Sequence, residues 1–565
     1  MKKIIFLIIG TLLVLGLVLP GCGGTTTPEN VINIAVVGPL TDLQGTNMMD
    51  GAVIARDELN ALNGGDGPLI NGTNYQINLV GVETHETQEG ESGSTGQANL
   101  AHALASTSHP INFCVGGFRT EVVSVYRDTA MNASKVFIDV GAATNSLCYS
   151  VNNDTAYQYW FRGSPYNDIF LVTSCLKMTA TVGAILKATL AGYEAVNSTY
   201  VKDAFKVGVN ETTPIRVAIL MENAAWCEGM VGAAQAYLPG LGFNVTNLAS
   251  PALVSPTATA ADLAPVLTAI AATNPHIIFT AFSGSVGAAY SIEKASLGIP
   301  AMTIGINVPG QQLVHFGNTA GACEGEIMLD TYAYNMTNNP SATPDNTATW
   351  FNNYQSRFGI YPVYTAATYD AIKAVVSAMQ DISSTTDSDG IVAWLEDPAN
   401  IVTTGVGSPK EGYYPKAALD LGAVPGPYQV YYGVGEMYAL NQTQVETYYN
   451  LASYGWTYNV SQWMVTPSGV GGPFDAHDLI YGPGYSTGIG SQWQRVGGNA
   501  TAGGVKVGIW PKQLFPTNTS IGYLTAAGLV DQYGNWNFQY PGTMKLILPI
   551  QGMMNIPWNA YAHAD

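Results

Sequence analysis

The segment Val31–Asn63, VINIAVVGPLTDLQGTNMMDGAVIARDELNALN, sets the fold class of this chain. Its first eight residues form an almost continuous apolar run of the length expected for a buried strand. A loop follows, and GAVIARDELNALN then places Ala55, Leu59 and Leu62 on one face of a helix, at i, i+4 and i+7. A buried strand, a loop and an amphipathic helix in this order predict one unit of a parallel α/β sheet.

The same unit recurs along the chain. YQINLVGVE, NFCVGG and KVFIDV are further predicted strands, separated by the helical patterns GQANLAHALAS and TEVVSVYRDTAMNA. The pattern restarts at Arg216 with the predicted strands RVAILME, HIIFTAF and AMTIGIN. The sequence therefore predicts an α/β protein with two Rossmann-like lobes, roughly Val31–Ser164 and Arg216–Asn307, with a helical stretch near Ile169–Val196 between them.

Composition restricts the classes of partner. The 565 residues are 47% hydrophobic and only 11% charged, and the formal net charge is -19 at pH 7. Such a chain repels phosphate backbones and anionic lipid surfaces, so neither is expected as a partner. No C-x-x-C pair, phosphate-binding glycine motif or paired nucleophile and base stands out, so we expect no metal, no cofactor and no enzymatic activity.

The first residues predict export. Lys2 and Lys3 precede an apolar run, Ile4 to Val18, and the ending Leu-Pro-Gly before Cys22 is similar to a lipobox. We expect a signal peptide over 1–21, a lipidated Cys22, a tether over 22–30 and a protein anchored by its lipid outside the cytoplasm, at the cell membrane. An ordinary signal peptide or an uncleaved anchor are the alternatives, and both also place the chain outside the cytoplasm.

Two further features fit an exported chain. Eleven N-x-S/T sequons favour surface glycosylation. Export also allows disulfides, but the five cysteines besides Cys22 are an odd number, so at least one thiol stays free or pairs between molecules. Their pairing stays open.

Ligands of open parallel sheets bind at the carboxyl ends of the strands. In the first lobe the loops after these ends are GPLTDLQGTN, GGFRTE and GAATN, and in the second they are ENAAWCEG, FSGSVG and GINVPG. All are rich in glycine, hydroxyls and amides. Thr120 begins a predicted helix and Thr144 ends the open backbone of GAAT, so together they could hold one carboxylate. A plain helix cap and a tight turn are the alternatives.

Three other positions carry side chains that could take part in chemistry. His85 and Glu86 lie in HETQE, which lacks the second histidine of a zinc protease motif, so a solvated loop is predicted. His477 and Asp478 have no nucleophile placed beside them, so structural hydrogen bonds are predicted. Trp226 follows a strand, and it is either a wall of the cleft or part of the core.

These segments resemble the substrate-binding proteins of branched-chain amino acid ABC transporters, the leucine/isoleucine/valine-binding type of periplasmic binding protein type I. Six segments carry the resemblance and occur in the same order as in that family, over about residues 31–381. They are the segment that begins at Val31, VFIDVGAATNSLCYS, YQYWFRGSPYND, RVAILMENAAWCEG, TNPHIIFTAFSG and RFGIYPVYTAATYDAIKAVVSAMQD. It implies two lobes that close on a small ligand in a cleft, a hinge of several crossovers, and ABC permease subunits as partners.

The resemblance also implies site residues. Thr120, Ala142 and Thr144 match positions that hold the ligand's α-carboxylate in this family. Further matches are Gln44 on the loop of lobe one, and Trp226 with Phe282 or Ser283 in lobe two.

One position departs from the family's pattern. Where amino-acid binders carry a carboxylate for the ligand's ammonium group, this chain has Asn307, and an amide cannot neutralise that charge. Asp42, in place of a usual glycine, could compensate, and Arg119 favours a second anionic group on the ligand. An amino acid, an organic acid, an amide and a short peptide all stay open.

The organisation predicted beyond the tether is lobe I over 31–163 and 331–401, lobe II over 164–330 and 474–515, an insertion over 402–473 and a C-terminal extension over 516–565. The function expected is capture of a small carboxylate-bearing ligand for an ABC importer. A sensory receptor on the same fold and a structural cell-surface glycoprotein that kept the fold are the alternatives.

Overall fold

The computed structural model describes residues 30–86, 92–163, 213–330, 347–360, 362–363 and 365–396. It also describes single residues and short runs between 167 and 187, and the short segments 402–403, 410–411, 477–478, 489–495 and 504–510. The predicted signal peptide, Cys22 and its tether up to residue 29, nearly all of the insertion and the C-terminal extension lie outside the described residues.

The first sheet is entirely parallel. Its strands, in spatial order, are β4 (Gln76–Glu83), β1 (Val31–Gly38), β5 (Ile111–Gly116), β6 (Phe137–Asp139) and β7 (Trp160–Arg162). The chain moves outward from β1 first on one side and then on the other, so the strand order reverses between β1 and β5. This reversal is where open α/β sheets form a ligand crevice.

Alternate residues of β1 face two different apolar clusters. Ile32, Ile34 and Val36 lie in the cluster that also contains apolar residues of the helices α1 (Leu43–Asn60) and α10 (Thr365–Asp381). Ala35 and Val37 face the cluster under α2 (Ser94–Leu104) and α3 (Thr120–Asn132). Both faces of the sheet are therefore covered, which is why its strands are almost continuously apolar.

The second sheet has a parallel core with two antiparallel strands added. Its order is β10, β8, β11, β12, β13, β16 and β17, and β9 pairs with β8. The antiparallel pair, β16 and β17, extends the sheet beyond β13. The bounds are β8 (Arg216–Glu222), β9 (Asn244–Val245), β10 (Ala252–Val254), β11 (Ile277–Phe282), β12 (Met302–Asn307), β13 (Ile327–Asp330), β16 (Ile489–Arg495) and β17 (Gly504–Trp510).

The remaining helices flank the two sheets, and four short strands that the sequence did not predict form two separate antiparallel pairs. A capping box between Thr259 and Asp262 fixes the start of α6. The remaining elements are α4 (Ser146–Asn153), α5 (Ala225–Tyr237), α6 (Ala260–Ala272), α7 (Val286–Ser296), α8 (Val314–Asn318), α9 (Thr347–Phe358), α11 (Ser388–Glu396), β2 (Leu69–Ile70), β3 (Thr73–Asn74), β14 (Val402–Thr403) and β15 (Lys410–Glu411). The α/β fold with parallel sheets predicted from sequence is confirmed.

Cys114, Cys148, Cys175, Cys227 and Cys323 are all buried free thiols. The disulfides that export would allow are therefore not formed among these five. Over the part of the chain described here, no helix is long and apolar enough to cross a membrane. The same residues contain no cluster of histidine, cysteine and carboxylate side chains suited to a metal ion.

Gly116, the last residue of β5, is required at the point where the strand order reverses. Its φ is +136°, and a Cβ there would lie 1.8 Å from the carbonyl oxygen of Val37. This close approach lets the loop after β5 turn across the end of β1.

We expect Gly116→Ala to destabilise the fold by about 2 kcal/mol or more, because the added methyl group meets backbone and the φ is unfavourable for alanine. The matched control is Gly232→Ala in α5, where a Cβ meets no atom within 4 Å. There the change should be neutral or stabilising by up to about 1 kcal/mol. Urea denaturation of both variants measures this, and equal midpoints would contradict it.

Candidate ligand-binding site

Two loops meet at the carboxyl edge of the first sheet. They follow β5 and β6 and contain the sequences GGFRT and GAAT. A Cβ on Gly141 would lie 2.2 Å from the carbonyl oxygen of Gly117, and a Cβ on Gly117 would lie 2.5 Å from Asp139 Oδ1. The glycines therefore allow direct contact between the two backbones, which places the residues after them side by side.

The structure brings Thr120 and Thr144 together. Thr144 Oγ1 donates to Thr120 Oγ1 at 2.9 Å, and the Thr144 N–H lies 3.4 Å from the same oxygen. Thr120 is the first residue of α3 and Arg119 is its N-cap, so the Thr120 hydroxyl does not cap the helix. The two positions expected to hold one carboxylate thus form a single pair of hydroxyls beside the start of a helix.

Ala142 contributes differently from the expectation. It is fully buried, its N–H donates to Asp139 Oδ1 at 3.0 Å, and its carbonyl accepts from Arg162. Both backbone groups are therefore bonded within the protein. In this structure Ala142 shapes the loop, and its N–H is not turned to a ligand.

Arg162 ends β7 and lies beneath this loop with no exposed surface. Besides the Ala142 carbonyl, its guanidinium donates to the Thr144 carbonyl at 2.8 Å and to Asp478 Oδ1 at 2.8 Å. Its Nη1 also lies 3.6 Å from Asp139 Oδ2. Burial alone would lower the pKa of Arg162, but nearby negative groups, led by Asp478, raise it above its ordinary value.

Asp478 and His477 come from the far end of the chain. The His477 carbonyl accepts from the Arg162 N–H at 3.0 Å, and the His477 ring bonds the Trp160 carbonyl and Glu396. Asp478 also accepts from Asn167 at 2.9 Å. These are the structural hydrogen bonds expected for this pair, and they join residues 477–478 to the first sheet.

The prediction of a solvated loop at Glu86 was wrong. Glu86 has no exposed surface. It accepts from the backbone N–H of Arg119 at 2.5 Å and from the Thr84 hydroxyl at 2.9 Å. Burial raises its pKa to about 7. The local sequence HETQE is hydrophilic, so only the tertiary fold reveals this burial.

Asp139 is a second buried carboxyl, at the end of β6. Its Oδ1 accepts from the N–H groups of Gly141 and Ala142, and burial raises its pKa to about 8 against the opposing charge of Arg162. A signal for it exists in the sequence, because an aspartate inside the apolar run VFIDV needs partners when the strand is buried.

In the second lobe, sequence reasoning missed Glu222, the last residue of β8. It is fully buried. Its Oε1 accepts from Trp226 Nε1 at 2.6 Å and from the Ser283 hydroxyl, and its Oε2 accepts from the N–H groups of Ser283 and Gly284 at 2.7 and 3.1 Å. The glutamate that closes the apolar run RVAILME was the available signal.

The other residues expected in the second lobe are buried and make their contacts within the protein. Trp226 is 7% exposed and belongs to the central apolar cluster, so it is mainly core. Phe282 is fully buried and packs on Tyr290 at 5.1 Å between ring centroids, so the structure does not bring it to the cleft. The Asn307 amide is buried and bonds the Gly287 carbonyl and the Gly310 N–H.

Three further expected residues lie on the loops of the first lobe. Asp42 is the N-cap residue of α1, and Gln44 is in its first turn; both are partly exposed. Arg119 is half-buried, with its N–H on Glu86 and a buried Nε that has no hydrogen-bond partner in the part of the chain described. Arg119 directly precedes Thr120 in the sequence, so its positive charge is adjacent in the chain to the hydroxyl pair.

The chain and its structure were compared with known proteins. No protein-family profile and no curated protein matches the chain. Among solved structures, an ABC transporter substrate-binding protein from Sphaerobacter thermophilus matches at a TM-score of 0.51 and 12% identity, over 85% of this chain and 97% of that one.

Two more structures are similar. A branched-chain amino acid transporter substrate-binding protein from Streptococcus pneumoniae, in complex with isoleucine, has a TM-score of 0.49 and 14% identity, over 68% of this chain and 95% of that one. A solute-binding protein of an ABC transporter from Rhodopseudomonas palustris, in complex with 3,4-dihydroxybenzoic acid, has a TM-score of 0.48 and 16% identity, over 65% and 85%. The chain has the fold of ABC transporter substrate-binding proteins, the periplasmic binding protein type I fold.

Proposed function

We propose that this protein is an extracytoplasmic solute receptor of an ABC importer that captures a small carboxylate-bearing ligand between its lobes, without chemistry. The observation that carries the proposal is the Thr120–Thr144 hydroxyl pair, which follows β5 and β6 at the carboxyl edge of the first sheet, next to the reversal of strand order between β1 and β5. Each hydroxyl can rotate to donate to a carboxylate, and the start of α3 adds a partial positive charge.

The fold shared with the Sphaerobacter substrate-binding protein supports the transport assignment. The permease subunits of such an importer are the proposed partners. A lipid on Cys22 as membrane anchor, and glycans on the sequons, are part of the same proposal.

The second lobe favours a ligand without an ammonium group. Among the described strand ends that face this edge, Glu222 has two donors on each oxygen, and the Asn307 amide bonds backbone on both sides. Both oxygens of Glu222 are thus already engaged, and Asn307 is a neutral amide that cannot balance the charge of an ammonium in a desolvated cleft. We therefore place organic acids ahead of α-amino acids as ligands.

Closure follows from differential affinity. The open form offers the ligand only the hydroxyl pair, whereas the closed form adds contacts from the second lobe, so ligand shifts the balance toward closure. Asp168 shows how near the lobes lie: it accepts from the Asn145 N–H on one side, and a Cβ on Gly229 of α5 would be 3.4 Å from its Oδ2.

The first prediction from the proposed function concerns the ligand class. In a thermal-shift panel of paired compounds, we expect 4-methylpentanoate and 3-phenylpropanoate to raise the melting temperature more than leucine and phenylalanine do. A ligand at 100 times its Kd adds about 2.7 kcal/mol of stability. A panel of amino acids, organic acids, amides and short peptides in which nothing stabilises the protein would overturn the proposed function. Stronger stabilisation by the amino acids would overturn the ligand class alone.

The second prediction concerns the hydroxyl pair. Thr144→Val should weaken binding of the best panel compound by about 1–3 kcal/mol, because a carboxylate oxygen then loses its donor. The matched control is Thr273→Val, which breaks a hydroxyl pair of the same length, 2.9 Å, with Thr246 near the opposite edge of the second sheet. Calorimetry should show unchanged affinity for the control. Equal affinity in both variants removes Thr144 from the site.

A further inference from the structure

Each loop of the hydroxyl pair is held by its own buried carboxyl group. Glu86 accepts from the N–H groups of Phe118 and Arg119, immediately before Thr120. Asp139 accepts from the N–H groups of Gly141 and Ala142, just before Thr144. The two carboxyl groups therefore act through the backbone on the loops that carry the two hydroxyls.

The surroundings of the two carboxyl groups are negative on balance. Tyr126 is fully buried beside both, and its pKa is raised by burial and then by Glu86 and Asp139. Arg162 is a fully buried guanidinium, and its nearest carboxylate is Asp478. Arg119, half-buried, faces Glu86. The thiols of Cys114 and Cys148 and the carboxyl of Asp168 face the same group of charges and supply no cation.

A proton on Glu86 or Asp139 would reduce the excess of negative charge around these two carboxyl groups. Burial is the largest cause of the raised pKa of each group, about 7 for Glu86 and about 8 for Asp139, and the charge of Glu86 adds to the rise at Asp139. Burial and the repulsion between the two groups thus favour a proton on this pair near neutral pH more than on an ordinary carboxyl group.

We propose that Glu86 and Asp139 are positioning residues of the hydroxyl pair, and that the protein takes up a proton from solvent on this carboxyl pair when a carboxylate ligand binds to Thr120 and Thr144. The inference rests on the proposed function of the same site. It adds a second bound species, a proton, to the ligand.

The direction of the pKa change on ligand binding follows from the negative charge of the ligand. A carboxylate on Thr144 lies next to the loop held by Asp139, so its negative charge disfavours ionisation of the pair and raises both pKa values in the complex. Protons bound in the complex then exceed those bound in the free protein. By linkage, affinity falls as pH rises through the pKa range of the pair and becomes constant well above it.

Calorimetry on the full chain tests this with 4-methylpentanoate, which is ionised throughout the range used. Titrations at pH 7.5 in phosphate, HEPES and Tris should give enthalpies that depend on the buffer, corresponding to uptake of about 0.3–1 proton per site. Kd should rise about threefold or more between pH 6.5 and 8.5. Enthalpies independent of the buffer, with binding intact, would overturn the proton uptake. No binding by any carboxylate of the panel would overturn the proposed function itself.

Variants separate positioning from general stability. Asp139→Asn and Glu86→Gln should each reduce the proton uptake by at least half and weaken binding, and either one suffices if the other does not fold. The matched control is Glu326→Gln in the second lobe, a buried carboxyl whose pKa burial also raises to about 7. It should keep the uptake of the parent protein. Equal loss of uptake in the control and the two variants would contradict the assignment to Glu86 and Asp139.

Discussion

The buried guanidinium of Arg162 is the constraint on which the rest of the candidate site depends. A charge with no exposed surface is tolerated only when its donors are matched, and here they bond two carbonyls of the GAAT loop and Asp478. The Asp139 carboxyl lies 3.6 Å from Nη1 and adds a second negative charge nearby. Removing the guanidinium would leave these acceptors buried without it, a cost of several kcal/mol. The loop that carries Thr144 is therefore held from below, by charge, before any ligand arrives.

The same guanidinium ties together segments that are far apart in the chain. Its partner Asp478 is 316 residues away, and Asp478 in turn accepts from Asn167, which follows β7 on the way to the second lobe. The segment that leaves the first sheet and residues 477–478 thus meet at one ion pair under the hydroxyl pair. Under the proposed closure of the lobes, a movement that displaces either segment would act on the carbonyl of Thr144 through this one side chain.

The fold could be predicted from the sequence because its signals are local. Each signal lies within ten to fifteen residues of sequence: an apolar run such as VINIAVVG or RVAILME for a strand, or an apolar period of 3.6 for a helix. The proximity of Thr120 and Thr144 was also predictable, since adjacent strand ends share an edge. The burial of Glu86 was not, because HETQE is hydrophilic and its partner Arg119 is 33 residues away. Asp139, Arg162 and Glu222 had a usable signal: each is a charged residue that ends an apolar strand.

The carboxyl edges of the two sheets differ in how their polar side chains are hydrogen-bonded. The first edge keeps hydroxyls that can turn toward a ligand, over a charged network that fixes their spacing. At the second edge Glu222 and Asn307 are bonded to neighbouring groups of the protein, and the Trp226 indole N–H is bound to Glu222. Under the proposed function, polar recognition therefore comes from the first lobe, because hydrogen bonds to preorganised groups cost little ordering entropy.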